Sequence, residues 1–125
     1  GAVAPCLLDG QAITLEDYLA VRPERRERLV RALRDGALEA GPWYVLADNL
    51  IPEGEAFVRN LLAGQRVLAE VGVASSAPPV LWAPDAFGHP AALPTLARAA
   101  GIAVLVAWRG QGGPLDPASS LLRWR

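Results

Sequence analysis

Apolar residues along this chain follow two rhythms, one of helical spacing and one of short continuous runs, and the breaks between them fall on glycine and proline. Residues 5–8 are a short extended apolar piece that ends at the turn pair Asp9-Gly10. Thr14-Leu15-Glu16-Asp17 has the form of a capping box, so a short helix is expected to follow and to stop before Pro23. Residues 24–35 predict a second helix with Leu29, Val30 and Leu33 as its inner stripe. Glu24–Arg28 and Glu27–Arg31 are spaced to pair on its outside, and Gly36 closes it. Residues 43–46 predict a buried strand entered through Gly41-Pro42.

Pro52 fits the first turn of a long helix reaching about Val71, ended by Gly72, with Phe57, Val58, Leu61, Leu62 and Leu68 on its buried face. Residues 75–79 read as a linker, 80–82 as a strand and 84–90 as a loop. Residues 91–100 form a helix if Pro94 lies in its first turn, and Gly101 ends it. Residues 102–108 are apolar throughout, the profile of a strand buried on both faces. Residues 110–117 are expected to be flexible, and 121–125 could form an edge strand.

Strands alternating with helices in the order β-α-β-α-β predict an α/β fold, a parallel sheet with helical crossovers. A chain of 125 residues can bury roughly two thirds of its unfolded surface, enough for one core. A net charge of −1 argues against a nucleic-acid partner. All 12 basic residues are arginine, which leaves a surface rich in bidentate donors. With one cysteine, Cys6, no internal disulfide can form, and a reducing, cytoplasmic setting is the expectation. No apolar run reaches membrane-spanning length, so no membrane partner is expected.

The chemistry concentrates at GPWYVLAD, residues 41–48. Two aromatics open an apolar run and Asp48 ends it, at the carboxyl end of a strand, where α/β proteins place their reacting groups. An aromatic shelf beside an acid suits a sugar, whose apolar face stacks while its hydroxyls need polar partners. The plain alternatives are that Trp43 and Tyr44 are core aromatics and that Asp48 or Asn49 caps the next helix. Alternation along a strand would place Tyr44 on the face shared by Leu46 and Asp48, opposite Trp43.

Residues 41–65, GPWYVLADNLIPEGEAFVRNLLAGQ, resemble the nucleophile segment of the bacterial α-mannosidases of glycoside hydrolase family 38. Residues 8–23, LDGQAITLEDYLAVRP, resemble the family's upstream DGQ…EDYL…RP element. Residues 82–110, WAPDAFGHPAALPTLARAAGIAVLVAWRG, resemble its PD-FGH…LP…GI…WRG run. The blocks stand in family order. Asn49 and Ala92 depart from the pattern, standing where an acidic residue and a glutamine are common.

The resemblance implies that residues 1–125 are part of a larger catalytic domain, an arc of a seven-stranded β/α barrel whose open sheet edges would recruit the rest of the polypeptide or a second copy. It implies an α-mannoside substrate, a retaining mechanism with Asp48 as nucleophile, and a catalytic zinc bound in part by Asp48. The remaining zinc ligands of the family, an HxD pair upstream and a histidine downstream, have no counterpart in this chain. The resemblance also makes Arg59, in VRN, an active-site arginine; Trp43, Tyr44 and Arg109 are the further candidates for contact with substrate. Asp85 and His89, bracketing PDAFGH, are expected to fix their loop, since zinc needs three or four ligands and few are available here. Two other readings stand beside this one. A metal-dependent polysaccharide deacetylase would need an H-x-x-x-H pair, and the chain has one histidine. A non-catalytic sugar-binding piece fits what the chain could do alone.

Overall fold

The computed structural model describes residues 5–73 and 80–112. The 75–79 linker, the end of the 110–117 stretch and the 121–125 edge strand lie outside the described residues. The chain runs β1 (Cys6–Leu7), α1 (Ile13–Val21), a 3-10 turn (Pro23–Arg25), α2 (Arg26–Arg34), β2 (Leu38–Glu39), α3 (Gly54–Val71), β3 (Val80–Ala83), α4 (Leu93–Ala99) and β4 (Val104–Ala107). It is a mixed α/β fold with short parallel strands. The strands make two separate parallel pairs, β1 with β2 and β3 with β4, each closed through helices.

Helices form largely where their patterns predict, with instructive differences at their ends. Thr14 sits inside the first turn of α1 and donates its hydroxyl to the Gln11 carbonyl at 3.0 Å, so the capping box does not form. The reason is that Ala12 and Ile13 give their backbone N–H groups to Trp43 O and Tyr44 O, which starts the helix one residue before the threonine. Glu24 pairs with its neighbour Arg25 at 3.7 Å, because the 3-10 turn replaces the α-helical spacing that would have brought it to Arg28. Gly36, in the left-handed region at φ 68°, follows α2. Gly72 closes α3 at φ 89°, its N–H reaching Leu68 O and Ala69 O, as a glycine after the last turn does best.

Two hydrophobic clusters hold the molecule. The first joins Ala12 and Leu15, Leu29 and Leu33 of α2, and Val67, Leu68 and Val71 of α3. The second joins Trp43, Phe57 and Leu61 to Leu81, Leu93, Ala97 and Ile102. On α3 the buried face is Phe57, Leu61, Gly64, Val67, Leu68 and Val71. Leu62 points outward and is 58% exposed, because Gly64 rather than a large residue occupies the closest approach. A Cβ on Gly64 would stand 2.2 Å from Pro42 O and 2.6 Å from Trp43 C, so α3 lies with its backbone against the backbone of residues 42–44.

Two strand expectations are corrected. Residues 43–46 form no strand; a single parallel bridge joins Gln11 to Trp43. β4 is not buried on both faces. Val104 and Val106 are exposed while Leu105 and Ala107 turn inward, the alternation of a strand covered on one side.

Candidate active site

Among the described residues the segment leading to Asp48 has one bridge, Gln11 to Trp43, and beyond the carbonyls of Trp43 and Tyr44 its backbone needs other partners. Side-chain amides supply them. Asn60 of α3 accepts from Tyr44 N and Val45 N at 3.0 Å each and donates to Val45 O at 2.7 Å. Gln11 accepts from Leu46 N at 2.9 Å. Sequence reasoning missed both residues. Their signals were present: Asn60 is an amide one turn before a helix glycine, and Gln11 follows the Asp9-Gly10 turn.

Trp43 and Tyr44 diverge. Trp43 is 2% exposed, stacked edge-on against Phe57 at 5.7 Å, and donates its indole N–H to Trp82 O at 2.9 Å. Trp82 in turn donates to Asp9 at 2.9 Å, which ties β3 to the turn after β1. The Tyr44 side chain turns toward α1 and donates its hydroxyl to Glu16 Oε2 at 2.9 Å. That bond, then partial burial, then the negative charges of Glu16 and Asp17, raise the tyrosine's pKa above its ordinary value near 10.0.

Asp48 is half-buried where residues 43–46, β3 and β4 converge. Its Oδ1 accepts from Phe87 N at 3.2 Å. It is not the cap of α3, which starts at Gly54 behind Glu53. Asn49, buried at 4%, sends its amide to His89 Nδ1 at 2.9 Å, and His89 Nε2 meets Arg109 O at 2.9 Å. A carbonyl can only accept, so Nε2 carries the proton and Nδ1 accepts from Asn49. Arg109 Nε lies 2.9 Å from Asp85 Oδ1, and its guanidinium sits 5.5 Å from the centre of the Phe87 ring. The geometry therefore brings Asp48, Asn49, Asp85, Phe87, His89 and Arg109 together from distant parts of the chain. Arg59 lies exposed on α3 and pairs with Glu55 at 2.9 Å.

Such an arrangement presents one carboxylate, oriented by a backbone N–H, beside an exposed aromatic ring and a guanidinium. It offers a place for a polar ligand with an apolar face. It does not by itself fit a zinc ion: among the described residues no three His, Cys, Asp or Glu side chains converge as a ligand set. Among the described residues no helix is long and apolar enough to cross a membrane.

Residues 10–111 match the model of the glycosyl hydrolases family 38 N-terminal domain, and the chain belongs to that family. It is 41% identical over 103 residues to the "Putative mannosylglycerate hydrolase" of Halalkalibacterium halodurans, which covers 82% of this chain and 11% of that protein. It is 37% identical over 94 residues to Alpha-mannosidase 2C1 of Mus musculus, covering 74% of this chain and 9% of that protein. The crystal structure of an alpha-mannosidase from Enterococcus faecalis superposes with a TM-score of 0.77 at 33% identity, over 85% of this chain and 12% of the other. The chain thus spans about a tenth of the length of the relatives it matches.

Proposed function

We propose that this chain is part of the catalytic domain of a retaining, zinc-dependent α-mannosidase, in which it forms an arc of a seven-stranded β/α barrel and Asp48 is the nucleophile. The observation that carries the reading is the presentation of Asp48. The backbone before it is braced by Gln11 and Asn60, and Phe87 N–H fixes one carboxylate oxygen, so the other is aimed rather than free to rotate. In the proposed reaction the Asp48 carboxylate bonds to the anomeric carbon as the aglycone oxygen leaves with a proton from a general acid. Water then releases mannose with the original configuration. Retention needs a second carboxyl group ~5–5.5 Å from the first. Asp85 is engaged by Arg109, so the acid/base is assigned to the rest of the polypeptide. Zinc would take one carboxylate from Asp48 and its other ligands from outside the described residues.

Contact with the sugar is assigned to Arg109 and to the exposed Phe87 ring. Buried Trp43 and Glu16-bonded Tyr44 support the segment from behind, and Arg59 enters the reading as a surface cation of α3. The isolated chain fits a sugar-binding piece without turnover, because no three metal-ligating side chains converge among its described residues.

The test is Asp48→Ala in the full-length parent. Among the described residues the Asp48 side chain makes one hydrogen bond, from Phe87 N, worth about 1.5–3 kcal/mol to a charged acceptor, so the variant should still fold. Loss of a nucleophile should abolish α-mannoside hydrolysis, and a 2-fluoro-mannosyl probe should label wild type at Asp48. Near-native kcat in the variant would sink the assignment.

A further inference from the structure

Asn49 is the buried polar side chain among the described residues, and its amide is spent on His89 rather than on its own loop. His89 closes the loop that begins at Asp85, and two residues before it stands Phe87, whose N–H lies on Asp48. The ring also reaches Arg109 O, beyond the end of β4. A Cβ on Gly88 between them would stand 2.2 Å from Leu50 Cδ1, so the Leu50 side chain lies against the loop there. Leu50 follows Asn49, so the 85–89 loop is packed directly on the chain that carries the aspartate.

We propose that Asn49 and His89 are a positioning pair for Asp48. Their hydrogen bond seats the 85–89 loop so that Phe87 N–H meets Asp48 Oδ1, which sets the rotation of the carboxylate and presents Oδ2 to the substrate. The pair touches no reacting atom. The contact to Asn49 does the positioning, and the contact to Arg109 O anchors the ring at its far side. This inference rests on Asp48 being the nucleophile.

The two contacts can be removed separately in the full-length parent. His89→Asn keeps an acceptor where Nδ1 stands, and His89→Gln keeps a donor where Nε2 stands. Asn49→Leu removes the partner. A misplaced reacting group costs up to about a hundredfold, so kcat should fall roughly ten- to a hundredfold in Asn49→Leu and His89→Gln, with KM within about twofold. His89→Asn should recover most of the loss. Exchange of the Phe87 amide hydrogen should speed up in step with the fall in kcat. Equal losses in His89→Asn and His89→Gln would overturn the proposal, as would Phe87 exchange unchanged in Asn49→Leu. A parent that shows no mannoside turnover and no labelling at Asp48 would instead sink the nucleophile assignment, while Phe87 exchange would still decide whether the pair seats the loop.

Discussion

Tyr44 stands four positions before Asp48, and its hydroxyl is held by Glu16 from α1. Because its pKa is raised in the folded chain, the neutral phenol is favoured there relative to the unfolded chain. The stability this supplies is complete below the unfolded value, about 10, and is lost as pH rises through the folded one. Tyr44→Phe should therefore be less stable than wild type at pH 8, and the gap should shrink at pH 11; denaturant titrations at the two pH values measure it. A gap that widens with pH would mean that the Glu16 bond is not its source. Sequence parity put Tyr44 on the face of Asp48, and the structure puts it against α1 instead. Parity is valid only inside a strand, and residues 43–46 are not one.

At the scale of elements, the helices were legible and the strand in front of the aspartate was not. Helical periodicity is a local signal, so α2, α3 and α4 appear within a few residues of their expected spans. The apolar run at 43–46 carries the same signature whether its backbone pairs with a strand or with side chains, and Asn60 and Gln11 cannot be seen from within it. The convergence of Asp48 with Asp85, His89 and Arg109 was readable only through motif resemblance, since each of the three lies 37 residues or more after Asp48. Gly64 is the opposite case, a glycine inside an amphipathic helix, which signals close backbone approach. Gly64→Ala should destabilise the chain by about 1–3 kcal/mol, although alanine is the better helix former, because the obstacle is backbone that cannot rotate aside. A thermal melt that is unchanged or raised would contradict the packing of α3 on residues 42–44.

For the molecule as a whole, β4 matters most. Among the described residues it pairs with β3 alone, and Val104, Val106 and Trp108 are exposed on it and just past it. Unpaired edges with apolar faces recruit other strands. The isolated 125-residue chain is therefore expected to sediment as a dimer or larger species, and Val106→Lys should shift it toward monomer. A monodisperse wild-type monomer at high concentration would refute this.

Helix α3 gives its first half, Phe57 and Leu61, to one hydrophobic cluster and its second half, Val67, Leu68 and Val71, to the other. Trp43 and Tyr44, adjacent in the chain, divide the same way. Each half of α3 therefore owes its apolar cover to a different cluster, and the helix is the span between them. The two parallel strand pairs, separate as sheets, are thereby joined through the packing of one helix.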